Sequence, residues 1–436
     1  MTISRRNFLK KAGLLGSVPL VMSLPKTAAA ADGDYKALVC VFLRGGNDSA
    51  NMIMTTDEQL HAAYASRRPD IAKARDSLLD TGTSDWAGNP IALNPAMVGM
   101  QSLFLEGKAA AILNIGPRIG PIGSGQRNPP GLFNHSRQQY AWETSWNLST
   151  DEYGPFGWGG MMMDILAGSG SVLPSLVSLG SNTLLKGAVQ ADSRVGSDGS
   201  LVNLTAFSAS PEAEAAFESS VGTARRSLFT RQMQYQQDEF VQGFKVIREA
   251  VEGTALDTNI DGGTSLGRQL RAVKRVIDAS MASGTVSRQV FIVNMGGFDT
   301  HRNQIPRHDG LLGQVSSSIS DFTLALGANQ SSVTTFTASD FGRTIHNNGN
   351  KGTDHGWGSF QFVAGGAVNP GAYGTYPDLS VGSPDDYGRG RLTPTLAHEQ
   401  MAATMGRWMG LSDSSLAAIF PSLFANFSMT DLGFMS

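Results

Sequence analysis

Thiols are almost absent from this 436-residue chain: Cys40 is its one cysteine, so an intrachain disulfide framework and any multi-cysteine zinc site are excluded. Charge is scarce too, at 16% of residues. Lys and Arg number 34 against 37 Asp and Glu, for a net charge of −3. No basic run follows the first dozen residues, so the footprint of a nucleic-acid binder is missing. Long apolar runs are also lacking. The stretch Ala12–Leu24 falls short of the roughly 20 residues that a spanning helix needs, and Gly13, Gly16 and Pro19 interrupt it. What is present is enough apolar residue, 41%, for a sizeable core, which excludes wholesale disorder. Glycine is abundant, 51 residues, and implies frequent sharp turns.

Ser4-Arg5-Arg6-Asn7-Phe8-Leu9-Lys10, an apolar segment and then Ala28–Ala31 form a twin-arginine export pattern. A signal peptide over 1–31 is therefore expected, with cleavage near Ala30 or Ala31, the twin-arginine translocase as partner and the periplasm or exterior as destination. The leader holds five basic residues and no acid, so the remainder is more acidic than the whole. A single buried thiol suits an oxidising compartment, because it has nothing to mispair with.

Five short apolar runs read as buried strands: Ala37–Leu43, Ala109–Ile115, Gln289–Met295, Val333–Ala338 and Phe360–Ala364. Helical spacing lies between them, clearest over Thr264–Ser283, where Leu266, Leu270, Val273, Ile277 and Met281 recur every three or four residues. The alternation predicts an α/β fold with a mainly parallel central sheet and helices on both faces, ligands gathering at the carboxyl ends of strands. One domain is expected over 32–436. Residues 168–261 differ in composition and read as a cap-like insertion, with a long helix starting near Ser210-Pro211.

The chemistry-bearing segments share one grammar, a buried strand ending in Gly and then Asp or His. They are Arg44-Gly45-Gly46-Asn47-Asp48, Gly296-Gly297-Phe298-Asp299-Thr300-His301, Ser339-Asp340-Phe341-Gly342-Arg343 and Gly352-Thr353-Asp354-His355-Gly356. Carboxylate plus imidazole without thiolate suits Zn²⁺ or Mn²⁺. Asp48, Asp299, His301, Asp354 and His355 supply enough ligands for two ions, the arrangement that clamps a displacement at phosphorus or sulfur. Asp in such turns also caps backbone amides, the alternative for each taken singly. Arg343 can hold an oxyanion or pair with a sheet-end carboxylate. Asn134-His135-Ser136 can supply a nucleophile or polar ligand, or cap a helix. Trp158, among glycines, reads as a packing turn. His61, His308 and His346 default to the surface, and His398 to the exposed face of a helix over Leu396–Gly410.

Taken together, these motifs resemble the bacterial family called domain of unknown function 1501, whose members usually carry a twin-arginine leader. The family is grouped with the alkaline-phosphatase-like and sulfatase-like superfamily. The resemblance implies that Asp48, Asp354 and His355 hold one ion while Asp299 and His301 hold another with a further His, either His308 or His398. Two departures stand out. The superfamily more often spaces the second Asp and His four apart, against two here. Relatives also tend to show Ser-His where this chain has Asn134-His135, which leaves Ser136 or Ser49 as substitutes for a hydroxyl nucleophile. The expectation is an exported metal-dependent hydrolase of phosphate or sulfate esters acting on a small molecule or envelope polymer, with Arg343 or His135 steadying developing charge. Its rival is a non-catalytic envelope protein that binds a polymer or assists assembly on an inherited hydrolase fold.

Overall fold

A computed structural model describes residues 35–166, 175–180, 182–190, 192–195, 212, 257–284 and 286–436. The expected export leader, the expected helix start at Ser210-Pro211 and most of the expected cap-like insertion lie outside the described residues. The strands are β1 (Lys36–Arg44), β2 (Ile53–Thr55), β3 (Leu79–Ser84), β4 (Pro90–Leu93), β5 (Ala109–Gly116), β6 (Thr144–Asn147) and β7 (Glu152–Gly157). They continue as β8 (Leu176–Ser178), β9 (Ser193–Arg194), β10 (Arg288–Gly296), β11 (Val333–Ser339), β12 (Ser359–Ala364), β13 (Gly371–Tyr373) and β14 (Leu396–Ala397).

Nine of these form one sheet in the order β13-β5-β12-β11-β1-β10-β8-β9, with β14 beside β5. Pairing is parallel throughout except at β12, which runs antiparallel to both β11 and β5. The α/β fold with a mainly parallel sheet is thus present, interrupted by one reversed strand. All five expected strands are found, each within one residue of its expected ends. Two smaller assemblies, β2-β4-β3 and the β6-β7 pair, flank it.

Alternation along β1 explains why helices cover both faces. Val39, Val41 and Leu43 point into one core, shared with Leu266, Leu270, Val273 and Ile277 of the Ser265–Ser283 helix and with Leu312, Val315 and Ile319 of the Gln304–Ala325 helix. Leu38, Cys40 and Phe42 point into the other, shared with Trp158 and Met162 of the Trp158–Leu166 helix and with Met401 and Met405 of the His398–Trp408 helix. Thr264 caps the first of these helices by accepting from the Gly267 amide, and Gly284 ends it in left-handed backbone. Its Gln269 clasps the Asn294 backbone of β10 through both amide atoms. That pair of bonds pins the helix beside the strand's carboxyl end.

Among the described residues no helix is long and apolar enough to cross a membrane. Three of the histidines assigned to the surface are buried instead: His61, His308 and His398. Each finds a partner inside, His61 the Lys73 carbonyl, His308 the Asn47 side chain and His398 the Thr144 carbonyl. Each thereby satisfies one ring nitrogen inside the protein.

Candidate metal centre

Strands β10, β1 and β11 lie side by side and end together: Arg44 is level with Gly296, and Leu43 with Ser339. Beyond these ends the backbone has to fold over the sheet edge. Gly45 does so at φ +113°, where a Cβ would sit 2.5 Å from the Asp299 nitrogen. Any larger residue would push the Asp299 turn off the sheet. The turn at Gly297, at φ +111°, brings Asp299 back over β1.

Three imidazoles converge on the Asp299 carboxylate. His301 Nε2 lies 2.9 Å and His355 Nε2 3.4 Å from Oδ1, while His135 Nε2 lies 3.7 Å from Oδ2. His301 and His355 approach each other at 3.1 Å, Nε2 to Nε2. The ligand atoms of His135, Asp299 and His355 all fall within 4.8 Å of one another. A tetrahedral shell with bonds of about 2.0–2.1 Å sets its donors about 3.3 Å apart, so these separations fit one small cation.

The far side of each ring is equally ordered. His135 Nδ1 meets Asp340 Oδ2 at 2.6 Å, His301 Nδ1 meets Asp354 Oδ1 at 3.1 Å, and His355 Nδ1 meets the Phe133 carbonyl at 2.8 Å. Every one of those partners is an acceptor, so each ring can carry its proton on Nδ1 and turn the Nε2 lone pair inward. Three inward lone pairs beside a carboxylate repel unless a cation or protons sit among them. Asp340 adds a further sign: it is 3% exposed, and its Oδ1 has no hydrogen-bond partner among the described residues.

Electrostatics follow from these contacts. The hydrogen bond to Asp340, and the charge of that carboxylate, raise the His135 imidazole above its ordinary value. Burial lowers His355. Burial alone would raise Asp299, but the Arg343 guanidinium more than offsets it and the net shift is downward. Asp354 is likewise lowered, burial being outweighed by the bonds from Asn348 and His301.

The expected site residues therefore divide. Asp299, His301 and His355 come together as ligand candidates, and His135, anticipated as a charge-steadying group, joins them as a fourth. Asp354 lies one step back, orienting His301. Arg343 resolves toward the carboxylate-pairing reading: its side chain is wholly buried, with Nη1 donating to Asp299 at 2.7 Å and Nε to Thr353 Oγ1 at 3.3 Å. Asn134 proves to be a helix cap, its Oδ1 accepting from the Arg137 amide. Ser136 is exposed in the first turn of that helix, and Ser49 is buried in the turn after Asp48. Among the described residues no hydrogen bond links either hydroxyl to the cluster.

Asp48 is not brought to the imidazoles. It is fully buried and held by Arg68, with Nη1 on Oδ2 at 2.7 Å and Nη2 on Oδ1 at 2.9 Å, and Gln304 also donates to Oδ2. Sequence reading missed Arg68, Gln304 and the role of Asp340. Asp340 left a trace as the first residue after a buried strand, and Gln304 as the end of the segment Gly296–Gln304 on which the family resemblance rests. Arg68 lies 20 residues from its partner, with no pattern joining them.

Residues 198–420, just over half of the chain, match the family described as Protein of unknown function (DUF1501). The chain belongs to that family. The DUF1501 match takes in Asp299, His301, Asp340, Asp354 and His355 and leaves Asp48 and His135 outside it. No curated protein matches the chain. Among solved structures, this DUF1501 chain is similar to the C-terminal periplasmic domain of EcEptC from Escherichia coli in complex with Zn, at 9% identity over 92% of this chain and 91% of that one, with a TM-score of 0.35. It is also similar to Ps i-CgsB in complex with k-i-k-neocarrahexaose, at 8% identity over 91% and 77%, with a TM-score of 0.34. Likeness at this level bears on neither metal nor substrate.

Proposed function

We propose that this DUF1501 protein is an exported metal-dependent hydrolase of phosphate or sulfate esters. The observation that carries the reading is the convergence of three Nε2 atoms on Asp299, each ring held from behind by an acceptor. His135, Asp299, His301 and His355 would hold the ion, Zn²⁺ or Mn²⁺, while Asp340 and Asp354 orient two of the rings. When bound, such an ion polarises an ester oxygen and acidifies a neighbouring water. The chain's own groups set the rest. Arg343 offsets the charge of Asp299 without reaching outward, and an ester would approach from the open side, where Asp299 and His301 remain 45% and 40% exposed.

Among the described residues neither Ser49 nor Ser136 is hydrogen-bonded to the cluster, so water is the nucleophile in this reading, and a covalent phospho- or sulfo-enzyme is not part of it. That same feature favours the second reading, a polymer-binding envelope protein that keeps the ion and has lost catalysis. Incubating the purified protein with Zn²⁺ or Mn²⁺ and panels of aryl phosphates and aryl sulfates separates the two. Turnover that falls at least 100-fold in His355→Ala supports the hydrolase. Bound metal without turnover supports the binder, and turnover untouched by the substitution overturns the site.

A further inference from the structure

Asp48 and Asp299 stand at the ends of neighbouring parallel strands and look, in sequence, like ligands to two ions. Their surroundings differ in kind. Asp48 has no exposed surface, and both of its oxygens accept from Arg68. Arg68 is itself fully buried and is tied down further by Asn51 Oδ1 at 2.8 Å and the Thr344 carbonyl at 2.9 Å. Asn51 is in turn gripped by Tyr64 at 2.7 Å. A chain of side chains then leads to the imidazole cluster: Gln304 donates to Asp48 and accepts from Thr353 Oγ1, and Thr353 Oγ1 accepts from Arg343, which pairs with Asp299. Two Asp–Arg pairs are thus built into one network, one sealed and the other open to solvent on its Asp299 side.

We infer that the Arg68 guanidinium stands in for a second cation, so that the protein holds a single metal ion at Asp299 and none at Asp48. The inference rests on the metal-centre reading above and adds the stoichiometry and the reason for it. Of the four carboxylates at this sheet edge, Asp48 and Asp299 each carry their own guanidinium, leaving Asp340 and Asp354. Those two meet imidazoles instead, Asp340 that of His135 and Asp354 that of His301. A second ion at Asp48 would have to displace a buried guanidinium and its four hydrogen bonds, stranding that charge inside the protein. The buried Phe341 ring packs against the imidazole cluster, 4.8 Å from His135 and 4.7 Å from His355, centroid to centroid.

The test is to strip the purified protein with chelator, dialyse it against micromolar Zn²⁺ or Mn²⁺, and count bound metal by plasma mass spectrometry. One ion per chain is expected. Two ions per chain overturn the inference while leaving the site intact, and no bound ion overturns both. The double variant Asp48→Asn/Arg68→Met should keep its single ion with an affinity within about threefold of the parent. A loss beyond tenfold assigns Asp48 to the ion and refutes the proposal. Should that variant fail to fold, the thermal shift of the parent protein against metal concentration decides: a one-site curve supports the inference and a two-site curve overturns it.

Discussion

The strongest contrasts in this molecule lie between single residues of the same type. Asp48 and Asp299 are both strand-end aspartates, yet one is a structural anion and the other the centre of a ligand cluster. The difference comes from the second partner each meets. Removing the guanidinium from Asp48 by Arg68→Ala leaves an unpaired buried carboxylate and should cost about 3–5 kcal/mol, read as a lowered midpoint in urea unfolding. Burial alone would raise Asp48, but Arg68 outweighs it and holds the group low, so the pair's contribution is complete above the ordinary carboxylate range and fades as pH falls through the depressed value. Asp354→Asn acts differently. It keeps shape and removes the charge behind His301, and should weaken metal binding about 10- to 100-fold, measured by calorimetry, with little change in unfolding midpoint.

At the scale of elements, the turns matter more than the strands they follow. The strands β1, β10 and β11 supply a flat edge in register, and the glycine turns decide what stands on it. Gly45→Ala should therefore harm the site beyond its effect on stability, since the left-handed φ strains alanine and its Cβ collides with the Asp299 backbone. A drop in metal affinity that exceeds the drop in folding stability is the expected signature. In the middle of β1, by contrast, Cys40 is packed in the core, and burial raises its thiol well above the ordinary value. It should resist thiol reagents until the protein unfolds, a rate readily followed with a chromogenic disulfide.

For the whole molecule, buried titratable groups set how stability varies with pH. Burial raises Glu399 to about 8, at the first turn of the His398–Trp408 helix. A carboxyl raised on folding contributes fully below its unfolded value and loses that contribution as pH climbs toward 8, by about 1.4 kcal/mol per pH unit. His308 and His398, both lowered by burial to about 4, work in the other direction: they favour folding fully above about 6.5 and less as pH falls toward 4. Thermal unfolding followed from pH 6.5 to 8 should show falling stability, and Glu399→Gln should flatten that limb. An unchanged slope in the variant would remove Glu399 from the account.

How much of this was legible beforehand depends on the range of the interaction. Runs of β-branched and aromatic residues marked five strands, and the apolar spacing over Thr264–Ser283 marked a helix, because those signals act within a few residues of their source. The residues of the cluster could be nominated as a set, since acidic motifs follow several strands of one sheet, whereas each taken singly could equally cap a turn. Their division of labour could not. Arg68 claims Asp48 from 20 residues away, Asp340 and Asp354 turn imidazoles supplied by distant segments, and three histidines of polar surroundings in sequence are inside the protein. The amino-acid order alone thus settled the α/β layering and the family, through local preferences that need no partner. Which carboxylate takes an arginine and which faces an imidazole was left to the packed chain, because the energy of a charge is set by the neighbours that folding brings within a few ångströms.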